Sequence, residues 1–300
     1  MITISLTQGL GNQLFQYFFG ESIRINFKDK VEVNYLQDLL PPDQLKMWEI
    51  FEVPINWIDE NHLKKNFLFN LSPKARNFCI KLFKILNLNQ NILAYDDNNF
   101  DLNLININQN IYLRGYWQNI NFFKKSFNEI LKNIKFKKDL DLNQLLIESK
   151  IRNFTNIVGV HVRGKDYLLK KNYLLKNNIG ADYYINSMRL IKNILGNPIF
   201  LLFSDDQEYL KQMNLSKYFN CVNFIDISNL RNDDFQYLSQ CDHFVIPNST
   251  FSLWAFYLNF NPNKLIITPD TWYSFNQNSI EKYLDKKFLN TKDKLKRKSN

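Results

Sequence analysis

Ile157-Val158-Gly159-Val160-His161-Val162-Arg163-Gly164-Lys165-Asp166-Tyr167 lies near the middle of a 300-residue chain, and its reading decides the fold. The run from Ile157 to Arg163 is the pattern of a strand buried in a parallel sheet, and the polar cluster after it marks the strand's carboxyl end. Downstream the sequence keeps alternating. It predicts a helix over Tyr183–Leu195, a strand over Pro198–Phe203, a helix over Gln207–Met213 and a strand over Val222–Ile225. A helix over Asp233–Gln240, a strand over His243–Ile246, a helix over Phe251–Leu258 and a strand over Lys264–Ile267 complete the cycle. Strands alternating with helices imply a mostly parallel α/β sheet.

Upstream the same logic appears once more. Ile2–Leu6 alternates like a strand, Gln8–Gln13 turns on two glycines, and Leu14, Phe15, Tyr17, Phe18 and Ile23 recur at helical spacing. Lys30–Val33 reads as the next strand. From about 37 to 100 the pattern is less regular: Pro41-Pro42 breaks it, and Ala75–Leu88 reads as a basic amphipathic helix. Ile111–Trp117 is a short strand running into a loop, followed by helices over Lys124–Phe136 and Leu140–Ser149. The expected organisation is an N-terminal α/β domain over 1–150, a C-terminal α/β domain over 151–285, and a basic tail over 286–300.

Composition narrows the class. Hydrophobic residues are 45% and charged residues 22%, which excludes global disorder, and 8 Gly with 8 Pro exclude a collagen-like or linker-rich chain. The net charge of +9 suits an acidic membrane surface, nucleic acid or a phosphorylated substrate without choosing among them. Cys79, Cys221 and Cys241 are odd in number and far apart, so they fit neither a disulfide framework nor a zinc site. Met1–Leu6 leads straight into a turn, so no signal peptide is expected, and no apolar run approaches the ~20 residues of a membrane span. The expectation is a soluble cytoplasmic protein. Lys74–Leu88 and Lys286–Lys298 place cations beside apolar residues, a pattern that suits peripheral contact with an anionic lipid surface.

In open α/β sheets ligands bind beyond the carboxyl ends of the strands. Four polar clusters hold that position: Gln8–Gln13 after the first strand, with Gly9, Leu10, Gly11, Asn12 and Gln13; His161–Tyr167, with Arg163, Lys165 and Asp166; Ser204, Asp205 and Asp206; and Pro247–Ser252, with Asn248, Ser249, Thr250 and Phe251. The glycine turn either lets the backbone approach a phosphate or is a plain tight turn. Arg163 and Lys165 put cationic donors where an anion would sit, and Arg grips phosphate bidentately; the alternative for Arg163 is a surface salt bridge to Asp166. His161 is a ligand-facing group or a satisfied core histidine. Ser204 or Asp205 caps the helix over Gln207–Met213, since adjacent carboxylates on a strand end point apart and cannot chelate a metal together. No cluster of metal ligands is present in the sequence.

These clusters together resemble the α-1,2-fucosyltransferase family of bacteria and animals. The motifs are G-L-G-N-Q-L-F-Q-Y at Gly9–Tyr17, G-Y-W-Q at Gly115–Gln118, H-V-R-G-K-D-Y at His161–Tyr167, L-F-S-D-D at Leu202–Asp206, and the stretch Asp233–Ala255, in family order. One departure stands out: the family's H-x-R-R-x-D reads H-x-R-G-K-D, with Gly164 at the second arginine and Lys165 one place later. The resemblance implies a GT-B-like fold of two Rossmann-like domains facing across a cleft. It implies an inverting, metal-independent transfer of fucose from GDP-fucose to the 2-hydroxyl of a galactose, in an oligosaccharide or lipid-linked glycan of a surface polysaccharide. Arg163 is similar to the arginine that holds the donor diphosphate. His161, Lys165, Ser204, Asp205, Asp234 and Asn248–Ser252 look like donor-binding positions, with Gly9–Gln13 turned to the same donor. Tyr116, Trp117 and Gln118 fall on the acceptor side, and Asp166 is the first candidate base. A non-catalytic glycan-binding relative, with Gly164 as its lesion, is one rival. A nucleic-acid-binding module is the other, though no basic stripe interleaved with aromatics supports it.

Overall fold

The structure is a computed structural model that describes residues 1–28, 30–37, 44–58, 111–149, 156–164, 179–228 and 233–269. The expected helix over Ala75–Leu88, the basic tail over 286–300, Cys79, Lys165 and Asp166 lie outside these residues. The chain divides into two compact units, Met1–Lys137 and Lys138–Asn300.

The first unit is built on a parallel sheet of β1 (Ile2–Leu6), β2 (Val33–Gln37) and β4 (Ile111–Leu113), in the order β2-β1-β4. β2 starts three residues later than the Lys30–Val33 strand read from the sequence. The reason is register: five consecutive pairs run from Ile2↔Val33 to Leu6↔Gln37, so all of β2 is matched to β1. The helix α1 (Leu10–Asn26) is buried along most of its length, which explains its run of large apolar residues. Phe15, Phe18, Phe19 and Ile23 are wholly buried, and Phe19 lies flat against Trp117 at 4.1 Å. A short helix α2 (Met47–Ile50) precedes β3 (Phe51–Glu52), which pairs antiparallel with β5 (Lys135–Phe136). Here the expected helix over Lys124–Phe136 gives way to a shorter one, α3 (Phe127–Leu131), followed by that strand.

The second unit holds a five-stranded, all-parallel sheet in the order β10-β9-β6-β7-β8. Its strands are β6 (Ile157–Val162), β7 (Ile199–Ser204), β8 (Cys221–Asn223), β9 (His243–Val245) and β10 (Ile266–Ile267). Central β6 is buried at every position, as its unbroken apolar run requires. Gly159 within it is sterically forced, because a Cβ would stand 2.7 Å from Leu238 Cδ1 and 2.9 Å from Cys241 Sγ. The helices are α4 (Leu142–Glu148), α5 (Ala181–Leu195), α6 (Gln207–Gln212), α7 (Asp234–Ser239) and α8 (Thr250–Leu258). On α5, Tyr184, Met188 and Ile191 at helical spacing join the core with Val158, Val160, Phe200 and Leu202.

The division between the units falls ahead of the 150/151 boundary read from the sequence. Side-chain amides on α7 account for the difference. Gln240 donates to Leu140 O at 2.6 Å and accepts from Leu142 N at 2.7 Å, while Gln236 donates to Lys138 O at 2.8 Å. Lys138 also pairs at 2.7 Å with Asp233, which is only 5% exposed. The segment from Lys138 to α4 is thereby stitched to the second unit. Among the described residues no helix is long and apolar enough to cross a membrane.

Candidate functional site

At the carboxyl end of β6, His161 is the last residue but one of the strand and Arg163 the first beyond it, and both reach the 249–252 turn. The neighbouring strand end, β9, leads through Pro247 and Asn248 into α8, whose cap is Ser249. The structure joins these two sequence clusters. His161 Nδ1 lies 3.0 Å from Ser252 Oγ, and the imidazole packs on Phe251 at 5.4 Å between centroids. Arg163 donates to Ser249 Oγ at 3.5 Å. A charge-assisted bond to an anion is stronger than a contact of this length. Ser249 Oγ makes no capping bond to its own helix, and the N-terminus of α8 carries a partial positive charge.

His161 is a buried, neutral group here. Burial first, and the Arg163 charge second, push its pKa from 6.5 down to about 3. The sequence left a ligand-facing and a core histidine open; the imidazole is 5% exposed and holds the 249–252 turn through Ser252. A pH effect follows. Between about pH 6.5 and 3 the unfolded chain protonates this ring and the folded chain does not, so stability is full above 6.5 and declines as pH falls through that window. His243, lowered by burial against a smaller opposing pull from Asp242, acts in the same direction. The melting temperature should therefore drop between pH 7.5 and 5. His161→Asn should melt lower at pH 7.5 but lose less on acidification. An unchanged pH slope in that variant contradicts this assignment.

The end of β7 supplies the third cluster, with its parts in different roles. Asp206, rather than Ser204 or Asp205, caps α6, accepting from Tyr209 N at 3.0 Å. Ser204 Oγ accepts from Asp206 N at 3.0 Å, closing a turn that carries the cap one residue further than the sequence reading placed it. Asp205 reaches across to β6 and accepts from Gly164 N at 2.8 Å. The two carboxylates thus serve separate partners. Gly164 sits against this turn so closely that a Cβ would collide with Asp206 Cβ and stand 2.8 Å from its Cγ and Oδ2. Asp234 opens α7 and is partly exposed. Among the described residues no three His, Cys, Asp or Glu side chains gather as a metal site.

In the first unit the glycine turn reads differently from the sequence expectation. Gln8 takes the positive φ of 65°, and Gly9, at φ −66°, simply precedes α1. Leu10 is buried, and Gln13 is fully buried with its amide consumed by the chain. Gln13 donates to Gln8 O at 2.7 Å and to Leu45 O at 3.0 Å, and accepts from Met47 N at 2.9 Å. Gln13 therefore acts by fixing the turn rather than by presenting an atom to a ligand. Gln16, quoted within the first motif but not singled out, does the same between Thr7 N and Gly115 O, at 2.9 Å each. Asn12 accepts from Gln118 at 2.7 Å, so the first and second motifs meet at one sheet end. Trp117, expected on an acceptor surface, is instead a fully buried core residue stacked on Phe19; Tyr116 beside it is 45% exposed.

One positioning residue was missed. Tyr183 on α5 donates to Ile246 O at 2.6 Å and also reaches Ile267 O at 3.3 Å, tying together the ends of β9 and β10 below the Pro247–Ser252 turn. Its only signal was its place at the start of a predicted helix.

Comparison with known proteins bears on the same motifs. The profile of Glycosyl transferase family 11 matches residues 1–289. An alpha-1,2-colitosyltransferase of Escherichia coli is 28% identical over 91% of this chain and 92% of its own length. The O-antigen biosynthesis glycosyltransferase WbnK of Escherichia coli is 24% identical over 91% and 95%. The Homo sapiens galactoside alpha-(1,2)-fucosyltransferase 1 is 32% identical over 104 residues, which are 34% of this chain and 28% of that one.

Proposed function

The chain belongs to glycosyl transferase family 11, and from that membership we propose that it moves L-fucose from GDP-β-L-fucose to the 2-hydroxyl of a galactose residue, with inversion. The observation that carries the reading is Arg163 placed against Ser249 at the start of α8. A guanidinium beside a helix N-terminus, on the carboxyl edge of a parallel sheet, is suited to a diphosphate. The galactoside fucosyltransferase and O-antigen names of its relatives support the substrate and a role in surface polysaccharide synthesis.

The mechanism follows from charge. The bond between the fucose anomeric carbon and the phosphate oxygen breaks, and a bond from that carbon to the galactose 2-oxygen forms on the opposite face. GDP leaves with the bonding pair and the acceptor hydroxyl gives up its proton. Positive charge grows on the sugar and negative charge on the diphosphate. Arg163 and the α8 N–H groups neutralise the latter where it develops, the part a metal plays in other transferases. His161 holds the Ser249–Ser252 turn as a neutral ring. Lys165 replaces the family's second arginine, and Asp166 accepts the acceptor proton late in a loose transition state.

A second donor deserves a direct comparison, because the relative at 28% identity is named for colitose. Transfer should be measured from GDP-fucose and from GDP-colitose side by side, with a galactose-terminated acceptor. The proposal expects the larger kcat/KM with fucose; a preference for colitose would replace the donor and keep the reaction class. The same assay in excess EDTA should lose no activity. Abolition by EDTA with recovery on adding Mg²⁺ or Mn²⁺ would overturn the metal-free mechanism.

A further inference from the structure

We propose that the first unit carries a glycan-binding groove for an anionic sugar chain, and that this chain is part of the acceptor. The groove, about 720 Å³, runs between α2, the segment 53–58 and the β3–β5 pair. That volume falls among small-molecule sites, roughly 300–1,000 Å³. Its aromatic wall is Trp57, 46% exposed, with Trp48 set edge-on at 4.7 Å and 81°. The backbone on either side of Trp57 is tied to the outer edge of β2: Tyr35 N donates to Asn56 O at 2.8 Å and Ile58 N to Tyr35 O at 3.0 Å. An exposed indole on fixed backbone, with Trp48 edge-on beside it, has less freedom to lose on binding. The C–H face of a pyranose ring packs on such a surface and buries apolar area there.

The lining is also cationic. Lys132, Lys135 and Lys137 line the groove against a single carboxylate, Glu52, which faces Lys135 across the β3–β5 ladder. Three lysines and an indole lining one groove match a sugar chain bearing carboxylates or phosphates, and Glu52 accepts hydrogen bonds from hydroxyls of the same chain. The concavity and the carboxylate inside it disfavour a flat anionic bilayer. The inference rests on the proposed function only in giving the bound chain the part of acceptor. Binding is measured without donor, so failure of the groove and failure of the transferase reading are separate results.

The ligand to use is tetragalacturonic acid, titrated into the full chain by calorimetry, with galactotetraose and a tetraglutamate peptide as comparisons. Binding should weaken with salt, and both comparison ligands should bind at least about tenfold more weakly. Trp57→Ala should lose about tenfold in affinity with an unchanged melting temperature. The triple change Lys132→Ala, Lys135→Ala and Lys137→Ala should remove the salt dependence. The proposal is overturned if the tetraglutamate peptide binds as well as the uronic acid, or if Trp57→Ala binds like the parent, since either marks simple charge attraction. Binding to phosphatidylglycerol vesicles without binding of the saccharide would make the surface a membrane contact instead, and no binding at millimolar ligand would remove it.

Discussion

Arg163→Ala is expected to lower kcat by on the order of 10²–10³, the usual cost of removing one charge-stabilising donor. Its side chain is half-buried beside the 249–252 turn, so circular dichroism and the melting temperature are measured alongside kcat. Arg163→Lys should recover little, because an ammonium cannot reproduce the planar fork that grips two phosphate oxygens. The affinity for GDP should fall far less than kcat if the guanidinium acts mainly on charge that develops during bond cleavage. A variant with normal circular dichroism and melting temperature that keeps near-native kcat would remove Arg163 from the mechanism.

Restoring the family pattern should do harm. Gly164→Ala is expected to cost about 1–3 kcal/mol of stability, an overpacking penalty, because its Cβ would fall on Asp206 Cβ and Cγ. Gly164→Arg should be worse and should not raise activity, which separates this chain from one disabled by a missing arginine. The cause is local and can be tested by a double-mutant cycle. Asp206→Gly removes the obstructing carboxylate while glycine remains a tolerable cap, so combined with Gly164→Ala it should recover most of the loss. Additive destabilisation in denaturant titrations would show that the collision is not what excludes a side chain at 164.

These two positions illustrate what the sequence discloses. Arg163 is visible in the sequence as a cation at the end of a long apolar run, and the structure places it beside the 249–252 turn. The departure at Gly164 was equally visible, but its cause was not: Asp206 is brought beside it by pairing of β6 with β7, a non-local fact. The central strands β6 and β7 and helix α5 were readable for the same reason as Arg163, long runs with a single period. Short elements were harder. Lys135–Phe136 becomes a strand because Phe51 and Glu52 pair with it, and nothing within residues 124–136 announces that partner. Glutamines were the least legible. Gln13, Gln16, Gln236 and Gln240 look like surface or ligand-facing residues in sequence, yet each spends its amide on backbone groups of a separate segment. Trp117 misled in the opposite sense: an aromatic in a polar motif suggested an acceptor platform, and the fold uses it as core.

The most direct test of the central claim is the structure of the product. The chain should be incubated with GDP-β-L-fucose and a galactose-terminated oligosaccharide, and the new linkage and anomeric configuration read by NMR. The account predicts one fucose, α-configured, on the galactose 2-oxygen. A β-configured product, attachment at another hydroxyl, or neither transfer nor hydrolysis from folded protein across a panel of galactosides would contradict it.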